Sequence, residues 1–153
     1  MTVSYQQEFT ATIASEMKKL VEDHWEEIAL NKERIRLNPD WDAYVRLEET
    51  GNLKCFTARE GQVLVGYFIV FCRPHIHYMD HVFAVNDVIY LRPEYRRGRT
   101  GLALIKFAER CLAEDGVSVL LINTKAHKPF DAVLERLGFS LTERVYGKYI
   151  GGN

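Results

Sequence analysis

The sequence predicts a mixed α/β domain that spans residues 1–153. Two segments near the N-terminus carry apolar residues at a helical period, and the stretch that follows them has the alternation of a β-hairpin. Strand and helix patterns then alternate to the end of the chain, which is typical of a strand–helix–strand unit. The predicted order is helix, helix, three strands, helix, strand, helix, strand. We therefore expect a mixed sheet that is mostly antiparallel.

Two amphipathic segments predict the N-terminal pair of helices. Residues 11–31 place apolar side chains three or four positions apart, which is the spacing of one helix face. That face comprises Ile13, Met17, Leu20, Val21, Trp25 and Ile28. The second predicted helix lies within residues 38–52, where Asn38 or Asp40 can cap the first turn and Gly51 can end the last.

The middle of the chain predicts three strands that are adjacent in sequence. Residues 53–60 and 63–72 are separated by a short glycine turn, and the second of these segments is apolar on both faces, so it should be central in the sheet. Residues 73–81 contain three histidines and are predicted as a loop. Residues 82–91 are the third strand. Because sequential strands usually pair directly, we expect all three to be antiparallel.

Four further elements complete the prediction. A helix over residues 100–115 ends at Gly116, and a strand over residues 117–123 follows it. A short helix is predicted over residues 128–137 and a last strand or hairpin over residues 139–150. The strand over residues 117–123 should lie parallel to the strand over residues 82–91, because the helix over residues 100–115 connects them.

Composition limits the classes of function. The chain is 47% hydrophobic and 27% charged with a net charge of −1, which argues against general nucleic-acid binding. Cys55, Cys72 and Cys111 lie apart in apolar contexts, which indicates reduced thiols and a cytoplasmic setting. The N-terminus lacks the pattern of a signal peptide, and the longest apolar run is too short to span a bilayer, so no membrane partner is expected.

The segment "PEYRRGRTG", residues 93–101, is the most informative one. It joins an apolar strand to an amphipathic helix. It contains three arginines, and a fourth, Arg92, lies directly before it. A helix that begins after a glycine-containing turn offers free N–H groups and the positive end of its dipole, which suits a phosphate. A solvated basic turn is the alternative interpretation of these residues.

The same segment resembles the coenzyme A signature of the GNAT acetyltransferase superfamily, in which a strand ends in a V-x-P-x-Y/F-R turn followed by R/Q-x-x-G-x-G/A and a helix. Arg96 takes the R/Q position and Gly101 the last glycine position. Arg99 stands at the middle glycine position, and Gly98 lies one residue early. This departure concerns the path of the loop, since its backbone N–H groups can still converge on a pyrophosphate.

A second resemblance to GNAT proteins lies at the expected distance. The run "LERLGF", residues 134–139, is similar to the end of their closing segment, N-x-x-A-x-x-L-Y-E-K-x-G-F. His127 stands at the position of the usual asparagine, and Leu134 at that of the tyrosine that usually acts as the general acid. The two motifs together are similar to those of small GNAT proteins from phages and prophages.

The resemblance implies a GNAT-like fold, a central mixed sheet with helices on both faces. It also implies an N-acetyltransferase that moves the acetyl group of acetyl-CoA to a primary amine by direct attack in a ternary complex. The strand backbone before the basic loop would bind the pantetheine arm, and the loop would hold the pyrophosphate. The expected coenzyme-binding residues are Ile89, Tyr90, Leu91, Arg96, Arg97, Gly98, Arg99, Thr100, Gly101 and His127. A homodimer is common in this superfamily and is expected here.

Three residues are catalytic candidates. Asp87 lies among apolar residues on the third strand, where many GNAT enzymes carry an acid, so we interpret it as the general base. The alternative is an acid that pairs with an arginine or caps a backbone group. Tyr146 and Tyr149 on the last predicted strand are candidates to replace the absent tyrosine acid, although both are also ordinary strand residues.

The acceptor pocket is expected between the first two helices and residues 73–81. His24 lies on the apolar face of the first helix, where a packed histidine is the favoured interpretation. His75 and His77 could share a strand face, but no second cluster completes a metal site, so no metal is expected.

Other functions stay open at this point. One is a GNAT-fold module that binds acyl-CoA without catalysis, and another is transfer of a longer acyl group. A third is a nucleic-acid-binding protein that uses the basic loop, residues 92–99. The sequence does not identify the acceptor amine.

Overall fold

The structure is a computed structural model and describes residues 2–152. Within these residues there are five strands and four α-helices. The strands are β1 Val3–Gln7, β2 Leu53–Glu60, β3 Val63–His75, β4 Tyr78–Leu91 and β5 Val117–Leu121. The helices are α1 Thr10–Ile28, α2 Trp41–Glu49, α3 Thr100–Glu114 and α4 Asp131–Arg136. A single 3-10 turn, Pro93–Tyr95, follows β4.

All five strands form one sheet, and their order in the sheet is their order in the chain. β1 to β4 are antiparallel neighbours, and β5 lies parallel to β4. The expected mixed, mostly antiparallel sheet is therefore confirmed. β3 is central, and its side chains from Leu64 to Val70 are buried on both faces, which explains its continuous apolar run.

Helices cover both faces of the sheet and produce two cores, as expected. On one face α1 and α2 enclose a core of Ile13, Met17, Leu20, Leu53, Cys55, Leu64, Tyr67, Ile69 and Tyr90. On the other face α3 encloses a core of Phe56, Ala58, Val65, Phe68, Val70, Cys72, Ala84, Leu104, Ala108 and Leu112. The two cores alternate along β3 because successive strand residues point to opposite faces.

Charged side chains fasten α1 and α2 to the sheet and to each other. The Arg59 guanidinium of β2 is 8% exposed and donates to the carboxylates of Glu8 and Glu16. Glu48 of α2 accepts from the backbone N–H of Thr10 at 2.8 Å, which satisfies a free donor at the start of α1. The predicted cap of α2 is confirmed at Asp40, whose side chain accepts from the Ala43 N–H at 2.9 Å.

Two parts of the chain differ from the prediction, the N-terminal residues and residues 73–81. β1 was not predicted, because its five residues are mostly polar and only Val3 and Tyr5 pack against the α3 core. Residues 73–81 are not a loop, since β3 and β4 continue to a turn at residues 76–77. This turn lies nine residues from Asp87 along β4, or about 30 Å in an extended strand.

The predicted last strand or hairpin is also wrong. Residues 139–150 have no strand partner in the part of the chain that the structure describes, although their apolar and β-branched composition favours a strand. Residues 140–148 are all exposed. Pairing is a tertiary property, so a strand-forming composition alone does not provide the neighbour that a strand requires.

Candidate active site

The candidate site begins where β4 and β5 separate. Their parallel pairing runs from Val82 with Val117 to Val85 with Leu121 and stops there. Just beyond, the Asn86 side chain donates to the Asn123 carbonyl oxygen at 3.2 Å and accepts from the Asn123 N–H at 2.7 Å. The rest of β4 pairs only with β3, so one backbone edge of this strand is free.

A β-bulge lies at the point of separation. Ile69 pairs with Val88 and Val70 pairs with Asn86, which leaves Asp87 as the extra residue of β4. A bulge bends the strand and changes the direction of the side chains that follow. The sequence predicted the strand but not the bulge, because a bulge leaves the composition of a strand unchanged.

The Asp87 carboxyl group is half-buried and has one protein partner among the described residues. The Tyr44 hydroxyl of α2 donates to Asp87 Oδ2 at 2.5 Å. Burial raises the pKa of Asp87 above its ordinary value, and the hydrogen bond from Tyr44 opposes part of that rise. Burial, with the nearby carboxylate, also raises the pKa of the Tyr44 phenol, so Tyr44 stays a donor at neutral pH.

A cluster of aromatic rings lies next to Asp87 and Tyr44. The Tyr90 ring lies 5.1 Å from the His24 ring and 5.9 Å from the Tyr67 ring, measured between centroids. Burial lowers the pKa of His24 to about 4, so its imidazole is neutral, in agreement with the interpretation of a packed histidine. The Tyr67 hydroxyl is fully buried and has no hydrogen-bond partner within the described chain.

The basic loop presents a row of free backbone donors. The first helical hydrogen bond of α3 runs from the Ala103 N–H to the Arg99 carbonyl oxygen at 2.8 Å. Within residues 2–152, the N–H groups of residues 97–102 have no protein acceptor. Gly98 has a φ of +94°, which lets the loop turn sharply into the helix. Such a row of N–H groups at a helix start can bind an anion.

The arginines of the loop divide into two kinds. Arg97 and Arg99 are exposed, and neither forms a salt bridge with a described carboxylate. Arg96 instead donates through both guanidinium nitrogens to Glu27 of α1, at 2.5 and 2.7 Å, and through Nε to the Leu91 carbonyl oxygen at 2.7 Å. The Arg96 side chain thus joins the loop to α1 and to the end of β4, while Arg97 and Arg99 remain available to a ligand.

The turn after β5 borders the same region. His127 is exposed in a turn closed by a hydrogen bond from the Lys128 N–H to the Lys125 carbonyl oxygen at 3.0 Å. The positive charge of Lys128 helps to lower the pKa of Glu27, although the Arg96 hydrogen bond is the main cause. Positive charge from Arg96, Lys125 and Lys128 therefore reaches the cleft where β4 and β5 separate, next to His24 and Glu27.

Neither of the two tyrosines proposed as acids forms a hydrogen bond with Asp87 within the described residues. Tyr146 is 88% exposed. The Arg34 guanidinium stands over the Tyr149 ring, 4.9 Å from its centroid. Neither hydroxyl has a hydrogen bond within the described residues, whereas Asp87 and the loop donors lie at opposite ends of the same free stretch of β4.

The family of the chain follows from a comparison with known families. Residues 15–139 match the acetyltransferase (GNAT) family, a stretch that includes the free edge of β4 and the basic loop. The chain belongs to the GNAT acetyltransferase family. A search of curated proteins finds no significant match to this GNAT chain.

Solved structures have the same fold as this GNAT protein. An aminoglycoside acetyltransferase from an uncultured soil metagenomic sample is 14% identical, with a TM-score of 0.75 over 99% of this chain and 97% of the other. A ribosomal-protein-alanine N-acetyltransferase from Brucella melitensis biovar Abortus 2308 is 21% identical, with a TM-score of 0.73 over 98% and 100%. A GCN5-related N-acetyltransferase from Ralstonia eutropha JMP134 is 17% identical, with a TM-score of 0.76 over 99% of this chain and 100% of the other.

Two residues of the candidate site, Tyr44 and Glu27, were not among the predicted site residues. Tyr44 shares a helical face with Trp41 and Leu47, and all three pack toward the α1/α2 core. The sequence shows this apolar face, but it does not show that Tyr44 contacts Asp87. Nothing in the local sequence marks the contact that Glu27 makes. Its partner, Arg96, is 69 residues away in the chain, a separation at which no local pattern reports a contact.

The described residues contain neither a membrane-spanning helix nor a cluster of metal-binding side chains. No helix within residues 2–152 is long and apolar enough to cross a membrane. Over the same residues, no three His, Cys, Asp or Glu side chains come together in a group that could hold a metal ion.

Proposed function

We propose that this GNAT protein is an N-acetyltransferase that moves the acetyl group of acetyl-CoA to a primary amine by direct attack within a ternary complex. One observation carries the proposal. A free strand edge, residues 87–91, leads from a half-buried carboxyl group to a row of six free N–H groups. This arrangement suits a ligand with an amide-containing arm and a pyrophosphate, which is the combination found in coenzyme A.

Residues of β4 suit the pantetheine arm of the coenzyme, and residues of the basic loop suit its pyrophosphate. Ile89, Tyr90 and Leu91 have backbone groups on the free edge that can pair with the amides of the pantetheine arm as an added strand would. The N–H groups of residues 97–102 and the positive end of the α3 dipole suit the pyrophosphate. Exposed Arg97 and Arg99 add charge-assisted donors. When bound, acetyl-CoA supplies the activated acyl group.

Asp87 is proposed as the general base. A primary amine is protonated at neutral pH and has no lone pair until it loses that proton, so the site needs a group that accepts it. The pKa of Asp87 is raised by burial, which brings the carboxylate closer to the proton affinity that base work requires. Tyr44 is proposed as a positioning residue, because its hydrogen bond fixes the orientation of the carboxyl group.

Tyr146 and Tyr149 remain the proposed sources of a proton for the leaving thiolate. Because Tyr146 is 88% exposed in the single chain, that role requires residues 139–150 to move or to be contributed by another copy of the chain. A water molecule is the alternative donor. His127 is proposed at the coenzyme rather than at the acceptor, since it lies in the turn beyond the separated strands.

The acceptor is proposed to be a primary amine of unspecified identity. Two of the similar structures are described as an aminoglycoside acetyltransferase and a ribosomal-protein-alanine N-acetyltransferase, both of which are consistent with an amine acceptor. The free thiols Cys55, Cys72 and Cys111 support a cytoplasmic setting. A phage or prophage source stays a prediction from the motifs.

A second candidate function is a GNAT-fold module that binds acyl-CoA without transferring the acyl group. The observation that favours it is that neither candidate acid has a hydrogen bond to Asp87 in the described chain, since Tyr146 is exposed to solvent and the Tyr149 ring lies beneath Arg34. Both candidates predict coenzyme binding, and only the first predicts turnover.

Calorimetric titration with acetyl-CoA at low and high salt tests the shared part of these proposals. We expect the wild type to bind acetyl-CoA saturably at one site. The affinity should fall by about 10-fold or more in the double variant Arg97→Ala/Arg99→Ala, since charged hydrogen bonds are worth about 1.5–3 kcal/mol each. Arg73→Ala, which removes an exposed arginine near the far end of β3, is the matched control and should leave affinity unchanged. An absence of binding at both salt concentrations would reject the coenzyme site.

Release of free thiol from acetyl-CoA, measured across a panel of primary amines, separates the two candidates. Turnover that depends on the amine supports the acetyltransferase. A protein that binds acetyl-CoA tightly and releases no thiol with any amine would favour the binding module.

A further inference from the structure

We propose that Glu60, the last residue of β2, is a positioning residue for the basic loop. It holds Tyr95, and through Tyr95 it fixes the turn after which the row of free N–H groups begins. The inference rests on the proposed function, because it assumes that residues 97–102 bind acetyl-CoA. Glu60 and Tyr95 support the loop from the α3 side of the sheet and are not themselves coenzyme ligands.

A hydrogen bond joins Glu60 and Tyr95 across the fold. The Tyr95 hydroxyl donates to Glu60 Oε2, although 35 positions separate the two residues in the chain. The Glu60 carboxylate raises the pKa of the Tyr95 phenol, so Tyr95 stays a donor at neutral pH. Hydrogen bonds to an ionised acceptor are stronger than neutral ones, so this contact can hold the side chain in one orientation.

Tyr95 lies where the hydrogen-bonded backbone ends and the row of free donors begins. Its N–H donates to the Arg92 carbonyl oxygen at 2.9 Å, and the Arg96 N–H donates to the Pro93 carbonyl oxygen at 3.1 Å. These bonds close the 3-10 turn. The N–H groups that follow, in residues 97–102, have no protein acceptor within the described chain. The position of Tyr95 therefore sets where the row starts.

The surroundings of Glu60 indicate a role other than stability. Its second oxygen, Oε1, is buried and has no hydrogen-bond partner within the described residues, and the same is true of Arg92 Nε. A charged group that loses its hydration destabilises the folded chain unless other partners replace the water. An apolar side chain at position 60 would avoid that cost, but it could not accept a hydrogen bond from Tyr95.

Contacts on opposite faces of the sheet hold the loop. Arg96 joins it to Glu27 of α1 on one face. On the other face the Tyr95 ring packs against the α3 core, where Glu60 fixes its hydroxyl. A loop that is ordered before its ligand arrives loses less conformational entropy on binding. We therefore expect Glu60 to contribute to coenzyme affinity rather than to the rate of the chemical step.

The contact with Glu60 is a feature of this chain and not of the GNAT turn motif. The motif accepts tyrosine or phenylalanine at the position of Tyr95, and phenylalanine has no hydroxyl to donate. Tyr95→Phe is therefore a mild substitution, in which the turn and the packing of the ring should survive while the bond to Glu60 is lost.

Calorimetric titration of the full chain with acetyl-CoA tests the inference. Tyr95→Phe should raise the dissociation constant by about 3- to 10-fold, the size of one lost hydrogen bond. Glu60→Leu should have a similar effect, and the double variant should be no worse than either single one, because both remove the same contact. Glu60→Gln keeps an acceptor oxygen and should restore the affinity to within about 2-fold of the wild type.

Thr57→Val is the matched control on the same strand. The buried Thr57 hydroxyl donates to Glu8 Oε2, so this variant also loses a hydroxyl–carboxylate bond, but one that does not reach the loop. It should lower the melting temperature and leave the acetyl-CoA affinity unchanged. In steady-state kinetics, Tyr95→Phe should raise the KM for acetyl-CoA while kcat and the KM for the amine stay constant, a split that a general loss of stability does not produce.

The possible results separate this inference from the function on which it rests. Wild-type affinity in Tyr95→Phe, an equal loss of affinity in Thr57→Val, or a Glu60→Gln variant as weak as Glu60→Leu would each overturn the positioning role and leave the coenzyme site in place. A wild-type chain that does not bind acetyl-CoA would overturn both.

Discussion

At the scale of single residues, the protonation of Asp87 is controlled by two opposing effects. Burial favours the neutral acid, and the Tyr44 hydroxyl favours the carboxylate through the hydrogen bond that it donates. Because burial dominates, the pKa of Asp87 is higher in the folded chain than in the unfolded one. The stability that the neutral form provides is therefore complete at low pH and is lost as the pH rises through the folded pKa.

Asp87→Asn should separate activity from stability. We expect kcat/KM to fall by about 10²–10⁴-fold if Asp87 is the base. The melting temperature at neutral pH should hold or rise, because the amide avoids the cost of a buried charge. Steady-state kinetics and thermal melts over a range of pH measure both, with exposed Asp80→Asn as the control. A fully active Asn variant would leave Asp87 with a structural role.

Tyr44→Phe should move the pH profile of the reaction. Without the Tyr44 hydrogen bond, only the effects that raise the pKa of Asp87 remain, so that pKa increases further. The acidic limb of kcat/KM should shift to higher pH, while the rate well above that limb stays close to that of the wild type. A uniform loss of rate with no shift of the limb would argue that Tyr44 acts only through packing.

At the scale of elements, the end of β4 is positioned by its close approach to β3. A Cβ atom on Gly66 would lie 2.6 Å from Leu91 Cδ1 and 2.8 Å from the Tyr90 carbonyl oxygen. The missing side chain therefore lets β3 and β4 stay in register where the proposed pantetheine edge ends. Arg92 extends this contact, since its N–H donates to the Val65 carbonyl oxygen at 2.9 Å.

Gly66→Ala should damage the coenzyme site from the opposite strand. The added methyl group must displace backbone atoms of β4, and overpacking of this kind costs about 1–3 kcal/mol. We expect a lower melting temperature and an acetyl-CoA dissociation constant raised by about 10-fold. Gly147→Ala is the matched control, because nothing lies within 4 Å of its Cβ position. Unchanged affinity in Gly66→Ala would show that β4 tolerates the shift.

The elements also show which features of this chain follow from local sequence. β4, the basic loop and α3 were predicted because an apolar run, a glycine turn and a helical period each occur within a few residues. The bulge at Asp87 was not predicted, because it leaves the composition of β4 unchanged. The Tyr44 contact was not predicted either, because it joins residues 43 positions apart that the fold brings together. The short edge strand β1 was missed because only Val3 and Tyr5 of its five residues pack against a core.

At the scale of the whole molecule, positive charge is local rather than general. The net charge is −1, yet Arg96, Lys125 and Lys128 bring positive charge to the cleft where β4 and β5 separate, close enough to lower the pKa of His24 or Glu27. Such a distribution favours one anionic ligand over a long polyanion, which would contact the acidic remainder of the surface. The two helical layers are also coupled to this cleft, since Glu27 of α1 holds Arg96 of the loop.

The Glu27–Arg96 pair offers a test of what Arg96 does for the coenzyme. If its side chain only anchors the loop to α1 and to the Leu91 carbonyl, Glu27→Gln should weaken acetyl-CoA binding by about 2- to 5-fold, the size expected for a partly exposed ion pair. The same change in an Arg96→Ala background should then have no further effect, because the pair is already broken.

The opposite sign would identify a direct role. If the Arg96 guanidinium leaves Glu27 to bind the pyrophosphate, Glu27→Gln removes a competing carboxylate and should tighten acetyl-CoA binding, while Arg96→Ala should weaken it by about 1–3 kcal/mol. Calorimetry on the wild type, the two single variants and the double variant measures this cycle. The direction of the Glu27→Gln change in affinity, rather than its size, decides between the two roles. An anchoring role predicts weaker acetyl-CoA binding in this variant, and a direct role predicts tighter binding.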